Sequence, residues 1–188
     1  MQKVKYPKTY HLPWSRGIQS DDKINQHLGH FAGKEVVVLE KLDGENTTMY
    51  GDPDGFHARS LDSPTNWTRD WCKQLHSCIM NDIPEGYRFC GENMFATHSI
   101  EYNNLESFFY LFSIWDNNDY RFHWDDIMEW ADILDLATPQ CFYRGIWDEN
   151  IIREITDLLD TEKIEGIVVT SVDSFHIDDF SKNVAKWV

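Results

Sequence analysis

The chain has 188 residues, 41% of them hydrophobic and 14% aromatic, enough for one well-filled domain. Its 32 acidic side chains outweigh 17 lysines and arginines, giving a formal net charge of −15. That balance excludes the general basic coat of a nucleic-acid packaging protein and disfavours adhesion to anionic membranes, while leaving room for a local basic cleft.

Residues 6 to 33 are punctuated by Pro7, Pro13, Gly17, Gly29 and Gly33, which predicts an extended arm with a short helix or loop around Asp21 to Leu28. The run Glu35-Val36-Val37-Val38-Leu39-Glu40 predicts a buried strand, followed by a turn at Asp43-Gly44. Thr47 to Tyr50 resumes as a strand, and Gly51-Asp52-Pro53-Asp54-Gly55 turns the chain into another strand near Phe56. Ser63-Pro64-Thr65 opens a helix whose Trp67, Trp71, Leu75 and Cys78/Ile79 recur at helical spacing and read as core. Strands are predicted over 87–92 and 108–115, helices over 124–134 and 148–160, and a further core strand over 165–169. The pattern is that of an α+β fold with substantial antiparallel sheet, organised as an N-terminal arm over 1–34 and one domain over 35–188.

The cysteines, Cys72, Cys78, Cys90 and Cys141, form no CxxC pair and no cluster with zinc spacing, so free and mostly buried thiols are expected. His27 and His30 read as surface histidines, because no carboxylate or cysteine completes a metal set with them. The N-terminus lacks the apolar run of a signal peptide, and no stretch is long and apolar enough to span a bilayer. A soluble, cytoplasmic protein without a membrane partner is the expectation. No P-loop or G-x-S-x-G elbow is present.

The sharpest chemical signal is Glu40-Lys41-Leu42-Asp43-Gly44-Glu45-Asn46, where a lysine stands between an apolar strand and a glycine turn. An ammonium at such a place is either held by neighbours or pushed toward the neutral amine, which is a nucleophile. K-x-D-G alone is common and fits a surface lysine beside a hairpin. Five further segments follow in order: Ala58-Arg59-Ser60, Phe89-Cys90-Gly91-Glu92-Asn93, Tyr110 to Asp116, Glu165-Gly166-Ile167-Val168-Val169, and Val184-Ala185-Lys186-Trp187-Val188.

Together the six segments resemble, in order and rough spacing, motifs I, Ia, III, IIIa, IV and V of the covalent nucleotidyltransferase superfamily of DNA ligases, RNA ligases and mRNA capping enzymes. Within it, Gly91 to Phe95 followed by His98-Ser99-Ile100 and Tyr102, and the opening Tyr6-Pro7 with His11 to Trp14, resemble the RNA ligases of phage and bacterial RNA repair. The resemblance implies a nucleotidyltransferase (adenylation) domain acting as an ATP-dependent RNA ligase. Lys41 would attack ATP to form lysyl-AMP, which is then passed to a 5′-phosphate RNA end and displaced by a 3′-hydroxyl, within a nicked duplex or otherwise. Arg59 would meet phosphate or ribose oxygens, Glu92 the ribose hydroxyls, Phe112 would stack on adenine, and Glu40 would read the adenine amino group. Glu165 would hold Mg²⁺ or Mn²⁺ or orient the lysine, and Lys186 would sit on the α-phosphate.

Two departures accompany this. Val184 stands where some relatives carry a second motif V lysine, and the chain ends directly after that motif, so no appended OB-fold or other C-terminal domain is expected. RNA contacts would then come from the arm, a partner protein or a dimer. Readings as a DNA ligase, a capping-type enzyme or a non-sealing nucleotide- or RNA-end-binding module stay open. Lys41, Arg59 and Lys186, with Arg16 or Lys34, are expected to form one positive cleft.

Overall fold

A computed structural model describes residues 2–61, 66–96 and 99–188. In chain order the strands are β1 (Tyr10–His11), β2 (Glu35–Lys41), β3 (Glu45–Met49), β4 (Phe56–Ala58), β5 (Arg88–Asn93), β6 (Phe109–Trp115), β7 (Tyr120–Arg121), β8 (Cys141–Ile146), β9 (Gly166–Ser171), β10 (Phe175–His176) and β11 (Val184–Trp187). The α-helices are α1 (Asp70–Ile79), α2 (Trp124–Ile133) and α3 (Glu149–Leu158). The fold is α+β, and the chain divides into two compact units, Met1–Tyr6 with Asp43–Thr138, and Pro7–Leu42 with Pro139–Val188. The segment expected as an arm contributes to both: its first residues join one unit and Pro7 onward joins the other.

The second unit is built on a five-stranded sheet of order β1-β11-β9-β2-β8. Its central strands are the β-branched runs, and Val36, Val38, Ile167, Val169, Ala185 and Trp187 turn one face into a core with Leu12, Phe31 and Ile152. Helix α3 delivers Ile152 to that core, and its start is fixed by Asp148, whose carboxylate accepts from Asn150 N at 2.8 Å. The pairings are antiparallel except β1 with β11, which is parallel and matches Tyr10 to Ala185 and His11 to Lys186.

The first unit carries a sheet in which its strands run in the order β7-β6-β5-β3-β4. Met49, Phe89, Phe109, Leu111, Ile114 and Trp115 are buried in this unit. Register slips between Cys90 and Gly91: Cys90 faces Ser113 whereas Gly91 faces Leu111. Phe112 is the extra residue of the resulting β-bulge, a device that bends a strand and re-aims a side chain.

Several expectations change. Of the helix or loop expected around Asp21 to Leu28 the structure has the loop: Ile24 bridges to His11, and a 3-10 turn follows at Leu28–Phe31. The helix opening at Ser63-Pro64-Thr65 lies outside the described residues. Trp67 belongs to a 3-10 turn (Trp67–Arg69) ahead of α1 and is 71% exposed, so it is not core. All four cysteines are free, but only Cys72 and Cys90 are buried while Cys78 and Cys141 are exposed. No helix among the described residues is long and apolar enough to cross a membrane.

Candidate functional site

In the Pro7–Leu42/Pro139–Val188 unit, β9 lies between β2 and β11, so the ends of its two flanking strands meet across it. Lys41 pairs with Gly166 and Lys186 with Val168. Directly opposed residues share a face and alternate residues return to it, so both ammonium groups stand on one face of the sheet, two positions apart along β9. Glu165, the residue just ahead of β9, forms an ion pair with Lys41, the two side chains being 21% and 22% exposed. Lys41 is thus held by a neighbour, the first of the two options its position allowed. Lys186 is half-buried, and its pKa is pushed below the usual lysine range, first by burial and then by the charge of Lys41, with Asp22 and Glu165 acting in the opposite sense.

Gly166 has no room for a side chain, since a Cβ there would collide with the carbonyl of Trp187. That close approach is what lets β11 lie tightly beside the Glu165 strand mouth. The same alternation carries Glu40 to the opposite face of the sheet from Lys41, where burial raises its carboxyl pKa. Among the described residues no three His, Cys, Asp or Glu side chains gather into a metal cage. One carboxylate beside lysines suits Mg²⁺ or Mn²⁺ all the same, because a small hard cation of this kind takes one or two protein carboxylates and fills its shell with phosphate oxygens and water.

Arg16 and Lys34 do not join Lys41 and Lys186. Arg16 lies 3.7 Å from Asp157 and over the Trp187 ring, and Lys34 bonds Asn183 Oδ1 at 2.7 Å. The cation on the arm with charge coupling to Lys186 is instead Lys8.

In the other unit, β3 opens directly after the glycine turn. Asn46 is paired with Glu92 on β5, and the Arg59 amide donates to the Asn46 carbonyl at 2.9 Å. Arg59, Asn46 and Glu92 therefore form a row across three neighbouring segments. The Arg59 Nε and the Asn46 Oδ1 are buried without a hydrogen-bond partner in the protein. A buried unmade donor and a buried unmade acceptor are costly unless a ligand completes them. Phe112 projects from the bulge, and the Tyr6 ring packs edge-on against it at 5.4 Å. Tyr6 is buried, which drives its phenol pKa upward.

The turn itself is held by Asp43. Its Oδ2 accepts from Ser99 N at 2.7 Å, Ser99 Oγ at 2.5 Å and Ile100 N at 3.1 Å, while its own amide donates to the Tyr102 hydroxyl at 3.0 Å. Gly44 follows because a Cβ there would come within 2.5 Å of the Asn93 carbonyl and 2.7 Å of Met94 Sδ. Asp43 thus ties the glycine turn to Ser99, Ile100 and Tyr102. Glu45 completes it with a two-point contact to Arg69, 2.6 Å to Nε and 2.5 Å to a terminal nitrogen. Sequence reasoning gave no role to Asp43, Glu45 or Tyr6; the signal available for Asp43 was its place ahead of the glycine, where an acidic side chain caps backbone amides.

Each unit therefore gathers its own share of the expected residues: Lys41, Glu165 and Lys186 in one, Arg59, Glu92 and the bulged Phe112 in the other. Comparison with known proteins bears on the fold and the family. The solved structure of an archaeal ATP-dependent RNA ligase matches with a TM-score of 0.69 and 16% identity, over 98% of this chain and 48% of its own. A putative ATP-dependent DNA ligase from Aquifex aeolicus matches at 0.65 and 19% identity, over 97% of this chain and 49% of its own. A Naegleria gruberi RNA ligase variant with ATP and Mn matches at 0.67 and 15% identity, over 99% and 61%. The chain spans about half the length of the first two. No curated protein matches it. The RNA ligase family model matches residues 34–188, which takes in all six motif segments, and the chain belongs to the RNA ligase family.

Proposed function

We propose that this chain is an ATP-dependent RNA ligase that works through a lysyl-AMP adduct on Lys41. The observation that carries the reading is the meeting of Lys41, Glu165 and Lys186 on one sheet face within one unit. An amine beside a carboxylate and a second cation is what in-line transfer of a nucleotidyl group requires. The ion pair supports Glu165 as the group that takes the Lys41 proton. The freed Nζ attacks the α-phosphorus, a P–N bond forms, the bond to the bridging oxygen breaks, and pyrophosphate leaves. Lys186 faces the negative charge that grows on the α-phosphate. Glu165 would also hold Mg²⁺ or Mn²⁺, which neutralises phosphate charge when bound.

Arg59 and Asn46 have a donor and an acceptor to give to the nucleotide or to the RNA 5′-phosphate, Glu92 takes ribose hydroxyls, and Phe112 stacks on adenine. Glu40 is the weakest of the assignments, since its side chain faces away from Lys41; an adenine contact from this position falls to it only at the strand edge. Sealing follows in two displacements. A 5′-phosphate oxygen of RNA attacks the AMP phosphorus and releases the Lys41 amine; a 3′-hydroxyl then attacks the activated 5′-phosphorus and releases AMP. The RNA would be of the repair type, and the compartment the cytoplasm.

Incubation with α-labelled ATP and Mg²⁺ or Mn²⁺ tests the reading. Label should become acid-stably bound to the protein, Lys41→Ala should carry none, and unlabelled ATP but not GTP should compete. Nicked RNA should be sealed in preference to nicked DNA. Label retained by Lys41→Ala rejects the assignment.

A further inference from the structure

The arm residues His11 and Asp22 have no part in the chemistry above, yet they are built into the strand edge that carries Lys186. His11 is paired in parallel register with Lys186, and its side chain is 1% exposed. Its backbone is clamped on both sides: the amide donates to Lys23 O at 2.8 Å, the carbonyl accepts from Asn25 N at 2.8 Å, and the next amide, Leu12, donates to Lys186 O at 2.7 Å. Its ring Nδ1 lies 2.9 Å from Ser15 Oγ, and its Nε2 lies 3.2 Å from Asp22 Oδ2 without an aligned hydrogen bond. Ser15 in turn is tied to the backbone of Val188, two residues beyond Lys186, through both N and O. Asp22 is fixed by the Gln19 amide at 3.0 Å and by Lys8 at 3.4 Å.

A buried polar ring costs free energy unless its nitrogens are used; this one ties the arm to the strand end through Ser15 and keeps the Asp22 carboxylate beside its other nitrogen. We infer that His11 and Asp22 are positioning residues for Lys186: the ring, in register with Lys186, sets the lateral place of β11, and Asp22 fixes the neighbouring arm segment against that ring. The charge couplings agree, Asp22 favouring the protonated form of Lys186 where Lys41 opposes it. The arm from Pro7 onward is then part of the adenylation machinery. This rests on the adenylation reading above.

The test is a double-mutant cycle read by single-turnover adduct formation and, separately, by ATP affinity. Asp22→Asn, which keeps the shape, and His11→Ala should each slow adduct formation at saturating ATP by about 10-fold, as expected of a misplaced group. The ATP dissociation constant should change less than threefold. In a Lys186→Arg background the same substitutions should add little further loss, because the group they position is already altered. His11→Asn, which can still reach Ser15, should recover part of the rate. Full-rate adduct formation by Asp22→Asn, or losses that multiply unchanged in the Lys186→Arg background, would overturn the inference while leaving the ligase reading intact. Absence of adduct in the unaltered protein would instead remove the ligase reading and this inference with it.

Discussion

The two units hold their candidate side chains by opposite means. Around Lys41, Glu165 and Lys186, regular strands in strict register bring charges together at strand ends, and the groups are spaced by the pleat of β9. Around Arg59, Glu92 and Phe112, the sheet departs from regularity: a bulge re-aims the aromatic ring, a glycine turn is pinned by Asp43, and buried polar atoms are left open. On the proposed function, the contrast is one between bond-making and nucleotide recognition. Charge at fixed spacing lowers a barrier; an aromatic face and unmade hydrogen bonds select what is bound.

That division breaks most readily at the charged end. Lys186→Ala and Glu165→Gln should each lower the rate of adduct formation by about 10²–10³-fold, the loss seen when one preorganised transition-state partner is removed. Rapid-quench measurement at saturating ATP checks this, and a loss confined to ATP affinity would contradict the division. Gly166→Ala probes the register behind it. The new Cβ would press on the Trp187 carbonyl, and overpacking of that kind costs about 1–3 kcal/mol, visible as a lowered thermal midpoint together with slower adduct formation.

At the recognition end, Phe112→Ala should weaken ATP binding by about 10-fold, within the ~1–3 kcal/mol that a base–aromatic stack contributes, while the rate at saturating ATP stays near that of the unaltered protein. Calorimetric titration of ATP separates the two. The smallest effect is expected from Glu40. Burial holds its carboxyl above the ordinary range, so the unfolded chain gives up that proton first as pH rises. Glu40 therefore subtracts stability once pH has risen through the carboxylate range, and the deficit persists at neutrality. Glu40→Gln should raise the thermal midpoint slightly near neutral pH and leave it unchanged in acid; a concurrent loss of ATP affinity would show that Glu40 does read the adenine.

Much of this molecule is legible in its sequence where local pattern and tertiary context agree. The β-branched runs of β2 and β9 are strands because both faces are covered, and α2 and α3 show their core-facing residues at helical spacing. β8 was missed because Cys141–Ile146 is a half-exposed edge strand with no alternation to detect. Trp67 was misplaced because spacing counts residues but not the point where the helix begins, which is Asp70. Lys41 and Lys186 stand out as charges beside apolar runs. The bulge at Phe112 does not, since it sits in an aromatic stretch where any register looks alike. His11 and Asp22 were silent for another reason: they reach Lys186 only through a parallel pairing between the two ends of the chain, which no local pattern encodes.

The central claim is that one particular amine becomes bonded to a nucleotide. Intact-mass analysis after incubation with ATP and Mg²⁺, followed by peptide mapping of the modified fraction, tests it most directly. The account predicts a gain of a single AMP moiety located on Lys41, reversed by added pyrophosphate. A protein that binds ATP but gains no mass, or an AMP mapped to any other residue, would contradict it.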